Sequence, residues 1–141
     1  MKKVFVSGCY DILHGGHVEF FEQARALGDY LIVSFASDEV LKKFKGREAS
    51  IPEDHKRKLL EGLKAVDMVV MGTNTDDPIF DFRDHFLRLK PDILVSTTDD
   101  RHAEKKKSFC AEHGAEYVQL GKTLSFQPIS TTEIRERIMR E

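Results

Sequence analysis

Three observations predict a three-layer α/β/α domain around a central parallel five-stranded sheet. Short apolar runs alternate with segments of helical spacing, a glycine-rich turn follows the first run directly, and no repeat or linker interrupts the series. Parallel strands are joined by helices that cross over the sheet, so both faces are covered and each crossover is expected to be right-handed. The 141 residues suffice for one core and are too few for two, so a single domain over residues 1–141 is expected.

The elements follow in order. Val4 to Ser7 is a short apolar run closed by Gly8, a buried first strand. Gly16 to Leu27 has Phe20, Ala24 and Leu27 at i, i+4 and i+7, a helix that Gly28 can stop. Tyr30 to Phe35, rich in β-branched and aromatic residues, is the clearest strand. Ser37-Asp38-Glu39 opens a short helix, followed by a basic loop around Gly46. Glu53 to Lys64 reads as a helix behind Pro52, with Leu59, Leu60 and Leu63 inward. Met68 to Met71 is a strand. Asp77-Pro78 resembles an N-cap and first turn leading into Ile79, Phe82, Phe86 and Leu89 at core spacing. Ile93 to Val95 is a strand, Ala103 to His113 a charged helix ending at Gly114, and Tyr117 to Leu120 the last strand. Ser130-Thr131-Thr132-Glu133 has the form of a capping box and opens a helix carrying Ile134 and Ile138.

Composition narrows the function classes. With 40% apolar and 33% charged residues the chain reads as an ordinary globule. A net charge of −2 argues against general nucleic-acid binding, so any anion site must be local. Cys9 and Cys110 lack metal-ligand spacing and are expected to be plain thiols of a reducing compartment; no protein-held metal is predicted. The apolar run at the start is too short for a signal peptide or membrane span, so a cytoplasmic location without membrane partners is expected.

In such sheets ligands sit beyond the carboxyl ends of the strands. The turn after the first strand reads Gly8-Cys9-Tyr10-Asp11-Ile12-Leu13-His14-Gly15-Gly16-His17. It has no G-x-G-x-x-G dinucleotide fingerprint, and Gly121-Lys122-Thr123 is no P-loop because Glu116 stands where the opening glycine belongs. What the turn offers is two imidazoles three residues apart at a helix head, where side chains project together and the helix dipole favours an anion. Imidazole N–H groups there can bond phosphate oxygens, and more strongly as a five-coordinate phosphorus gains charge.

The stretch GCYDILHGGHVEFFEQARALGDYLIVSFASDE, the later HKRKLLEGLKAVDMVV and the final ISTTEIRERI resemble, in the right order, the conserved segments of the HxGH nucleotidyltransferases. The similarity is strongest to their glycerol-3-phosphate cytidylyltransferase and heptose-phosphate adenylyltransferase branch. The resemblance implies a Rossmann-like fold and transfer of a nucleoside monophosphate, CMP favoured, from a nucleoside triphosphate to a phosphorylated small molecule such as glycerol 3-phosphate. Mg2+ would arrive on the nucleotide, and CTP or ATP would be the substrate. The alternatives are adenylyl transfer from ATP to a sugar 1-phosphate or FMN, and, in another class, a binding module without chemistry, against which the intact His14 and His17 speak. A homodimer is implied by resemblance.

Carried over residue by residue, His14 and His17 would hold the phosphates and stabilise the transition state, with Lys43 and Lys45 of the basic segment as catalytic phosphate binders. Gly8, Cys9, Tyr10, Asp11 and Gly16 would line the nucleotide floor, and Ser130, Thr131 and Thr132 would meet the triphosphate. Lys56 and Arg57 are candidates for the acceptor phosphate. Two segments depart from the branch: Ser125-Phe126-Gln127-Pro128 replaces its R-T-E-G, and Ser96-Thr97-Thr98-Asp99-Asp100 replaces its G-D-D or G-G-D turn.

Overall fold

The computed structural model describes residues 1–122 and 125–140, and Thr123 of the Gly121-Lys122-Thr123 run lies outside them. The strands are β1 (Lys3–Gly8), β2 (Tyr30–Phe35), β3 (Met68–Met71), β4 (Ile93–Thr97) and β5 (Glu116–Leu120). All pairings are parallel and the order across the sheet is β3-β2-β1-β4-β5. Among the described residues the helices are α1 (Gly15–Arg25), α2 (Asp38–Lys45), α3 (Glu53–Glu61), α4 (Arg83–Leu89), α5 (Ala103–Glu112) and α6 (Thr131–Met139).

The two-residue period of the strands sorts side chains into two cores. Val4 and Val6 of β1, Leu31 and Val33 of β2 and Ile93 and Val95 of β4 pack with Phe21 and Ala24 of α1 and Leu60 of α3. The intervening Phe5, Ile32 and Leu94 face the other way, against Phe82, Phe86 of α4 and Phe109 and Cys110 of α5. The three-layer arrangement is therefore as the sequence predicts.

Four local expectations are corrected. The basic segment is not a loop: Ser37 Oγ accepts from Val40 N and caps α2, Gly46 ends it at φ 66°, and Lys42, Lys43 and Lys45 fall in its last turn. Cations there complement the carbonyl end of the helix dipole. In α3, Leu59 is 46% exposed while Leu60 is buried, because neighbours on a helix lie about 100° apart and one stripe faces the sheet. That stripe is Lys56 and Leu60, so a lysine occupies a core position. No helix starts at Asp77-Pro78. Asp77 Oδ1 accepts from Ile79 N and Phe80 N, and this local side-chain turn replaces the helical ladder until Arg83. In α6 no residue is buried and Ile138 stands 59% exposed. Ser130 Oγ does accept from Glu133 N, but the Glu133 carboxylate pairs with Arg137 at 2.9 Å in place of closing the capping box. No helix among the described residues is long and apolar enough to cross a membrane.

Candidate active site

In this strand order β1 and β4 are neighbours whose onward connections lead to opposite edges of the sheet, which opens a crevice beyond their carboxyl ends. A cleft of about 600 Å³ lies there. Tyr10, His14, Gly16 and His17 form one wall, Ser96, Thr97, Asp100 and Lys106 the other, and Lys122, Ser130 and Thr131 come from the connection between β5 and α6.

The two imidazoles cap the helix and each other. His14 is the extended N-cap of α1, and its Nδ1 accepts from Gly16 N at 3.1 Å. His14 N in turn donates to His17 Nδ1 at 3.2 Å, and the ring centroids are 3.9 Å apart. An Nδ1 that accepts carries no proton, so the neutral rings are fixed as Nε2–H tautomers, each with one donor left. Burial, then His14, then Lys122 lower His17 from its ordinary 6.5 to about 4; burial and Lys122 lower His14 as well. The pair therefore presents two neutral N–H donors at the helix head, where the dipole already favours an anion.

Charged groups beneath the turn set its shape. Tyr10 lies at φ 48°, in the left-handed region, and its ring covers Gly8 so closely that a Cβ there would come within 2.8 Å of it. The same ring meets the edge of His17 and Phe21, with centroids 5.4 and 5.2 Å apart. Asp11 is 3% exposed: Oδ1 accepts from Ser50 N at 2.8 Å, and Oδ2 takes Arg47 at 2.6 Å together with Arg135 of α6. Burial alone would raise this carboxyl, but the bonds from Arg47 and Ser50 outweigh it and hold it at about 2. Lys56 is fully buried, its ammonium donating to Cys9 O at 2.9 Å and Ala36 O at 3.1 Å. It thus staples the turn to the residue following β2.

The opposite wall is polar and mostly paired. Ser96 Oγ and Tyr117 Oη share a hydrogen bond. Lys106 and Asp100 form an ion pair at 2.7 Å, with side chains only 13% and 11% exposed. Lys122 pairs with Asp99 at 2.6 Å, and both side chains are more than half exposed.

Of the residues singled out from sequence, the cleft brings together His14, His17, Tyr10, Gly16, Ser130 and Thr131. Gly8 and Cys9 support the turn from behind, and Thr132 is exposed on α6 outside the cleft lining. Others are engaged within the protein. Asp11 lies beneath the turn with both its oxygens bonded. Lys56 is bonded to two backbone carbonyls, and Arg57 donates to Val69 O beside the Phe35 ring. Lys43 bonds Asp76 and Lys45 is exposed on α2, and neither lines the cleft. Sequence reasoning missed Arg135, Lys106 and Lys122. Only the twin basic positions of the last segment hinted at the first.

A helix head capped by two imidazoles at the crevice of a doubly wound parallel sheet places the protein among the Rossmann-like α/β folds. Residues 5–137 match the cytidylyltransferase-like family, and the chain belongs to that family. It is 39% identical over 141 residues to the bifunctional protein HldE of Helicobacter pylori, covering 99% of this chain. The chain spans only 28% of the length of that relative. It is 35% identical over 139 residues to the FAD synthase of Pyrococcus horikoshii, covering 96% of this chain and 91% of that protein. Among solved structures, the lipopolysaccharide core biosynthesis protein of Thermoplasma volcanium superposes with a TM-score of 0.74 at 28% identity, over 88% of this chain and 99% of that one.

Proposed function

We propose that the protein transfers a nucleoside monophosphate from a nucleoside triphosphate to a phosphorylated small molecule and releases pyrophosphate. The observation that carries this reading is the reciprocal cap of His14 and His17, which leaves two Nε2–H donors at a helix head in the cleft. An acceptor phosphate oxygen forms a bond to the α-phosphorus as the bond to the bridging oxygen of pyrophosphate breaks, and the electron pair leaves with pyrophosphate. The attacking phosphate is already an anion, so positioning and charge stabilisation suffice without a general base. The His14 and His17 donors would bond the oxygens that gain charge, and Ser130 and Thr131 would meet the triphosphate from the head of α6.

The donors around the cradle are N–H and O–H groups, which suit phosphate oxygens, and the described residues gather no cluster of three metal-ligating side chains. Mg2+ would therefore ride on the nucleotide's own oxygens, where it neutralises charge. ATP is favoured as the nucleotide. One relative supports it, an FAD synthase of nearly the same length, and FAD is made by joining AMP to FMN. The Ser125-Phe126-Gln127-Pro128 departure from the cytidylyl branch agrees. FMN and sugar phosphates are the proposed acceptors, and the setting implied by resemblance is a cytoplasmic homodimer.

Thermal unfolding with Mg2+ and each of ATP, CTP, GTP and UTP tests the donor. The bound nucleotide stabilises by about 2.7 kcal/mol at a hundred times its Kd, and ATP is expected to give the largest shift. Pyrophosphate release is then assayed with FMN, sugar 1-phosphates and glycerol 3-phosphate. No release with any pair of substrates refutes the transferase reading; release with CTP alone reverses the choice of donor.

A further inference from the structure

We infer that Lys122, at the end of β5, is the cation that grips the triphosphate in this cleft, a role expected from sequence for Lys43 and Lys45; the inference rests on the nucleotidyl-transfer reading above. Three observations support it. Lys122 lines the same cleft as His14, His17, Ser130 and Thr131, whereas Lys43 and Lys45 do not. The other cations near this floor are committed. Lys106 is bonded to the equally buried Asp100, whose carboxylate its release would strand, and Arg47 and Arg135 are both held by the 3% exposed Asp11, which would be left buried with less compensation if either moved away. Lys122 differs because its partner Asp99 is 58% exposed, and a surface pair of this kind adds little and is easily exchanged.

The charge of Lys122 is also felt at the cradle. It contributes to the lowering of both His14 and His17, so its ammonium lies within electrostatic reach of the two donors. An ammonium on a flexible stem serves a polyphosphate as a point charge with three donors. The arginine of the R-T-E-G run is absent from the connection between β5 and α6, and Lys122, two residues past Leu120, is the cation its sequence carries. Asp99 would hold Lys122 over the mouth of the cleft until a phosphate chain replaces it.

Calorimetric titration of the whole protein with Mg2+-tripolyphosphate, Mg2+-ATP and AMP tests the assignment. Lys122→Ala is expected to weaken tripolyphosphate and ATP at least roughly tenfold, while AMP changes less, and Lys122→Arg recovers most of the loss. Asp99→Asn is expected to leave tripolyphosphate affinity equal or tighter. Unchanged tripolyphosphate affinity in Lys122→Ala, beside a wild type that binds, overturns this inference alone. An equal loss for AMP and tripolyphosphate, or a tenfold loss in Asp99→Asn, overturns it too by moving the contact elsewhere. A wild type that binds neither tripolyphosphate nor any nucleoside triphosphate overturns the transferase reading and this inference with it.

Discussion

Protonation of His17 should by itself weaken the free protein as the pH falls. The ring is lowered from 6.5 to about 4, and a tenfold change in proton affinity corresponds to about 1.4 kcal/mol. Because the folded value is the lower one, the unfolded chain takes the proton first. Stability is complete above 6.5 and is lost as the pH falls towards 4. Between pH 7 and pH 5 the loss from this ring alone comes to about 2 kcal/mol, an upper figure because part of the ring meets solvent. Urea denaturation at pH 5, 6 and 7 should show that loss in the wild type beyond the one in His17→Gln, which keeps an acceptor for His14 N but does not titrate in this range. A phosphate chain beside the ring adds negative charge, so nitrogen-detected NMR of His17 should find its midpoint raised in the presence of Mg2+-ATP. His17→Ala should lower turnover about a hundredfold or more, the usual effect of removing one donor to developing charge. A free-protein midpoint near 6.5, or one that does not move with nucleotide, would refute the account of the neutral pair.

Asp81 offers the opposite sign. Burial first, with Asp77 adding and Lys106 opposing, lifts its carboxyl from 3.8 to about 7, so its contribution is present below 3.8 and lost as the pH rises through 7. Asp81→Asn should be more stable than wild type by about 3 kcal/mol at pH 8, with the gain shrinking towards pH 4 in urea denaturation; equal curves at both pH values would sink the argument. Lys56→Met should cost about 1–3 kcal/mol by leaving the carbonyls of Cys9 and Ala36 unpaired, and should raise KM for nucleotide as the turn loosens. A change confined to the KM of the acceptor would return Lys56 to the site.

What the sequence discloses depends on how local the cause is. The strands of the sheet were legible because residues such as Val4, Phe5 and Val6 are apolar on both faces and end abruptly at Ser7-Gly8. His14 and His17 were legible because their three-residue spacing lies within one helical turn. The strand order was not, since a crossover carries no mark of which edge it returns to. The burial of Lys56 was not legible for a different reason. A lysine signals surface, and its burial here depends on two carbonyl oxygens that only the folded turn places around it. The Asp11 clasp joins residues 36 and 124 positions apart, so no window along the chain contains it. Lys122 showed only as part of a run that is no P-loop, and nothing else local marks a single cation after a strand end.

These distant contacts also explain how a chain of net charge −2 can favour an anion at one spot. A buried carboxylate such as Asp11, placed under the turn that should bind phosphate, would by itself repel it. Two guanidinium groups meet that carboxylate, so the cluster beneath the turn carries a surplus of one positive charge, partly buried and only weakly screened by salt. The neutral imidazoles above it add donors without adding charge, and the helix head adds its dipole. On the proposed reading, attraction would come from below and from the mouth of the cleft, while neutral imidazoles would meet the reacting phosphate. The same clasp ties Arg135 of α6 to the first turn, and Thr131 Oγ1 donates to Ile12 O beside it. The charge proposed to draw phosphates in is thus also what holds the head of α6 across from the imidazole pair, so loss of Arg135 would disturb both field and geometry.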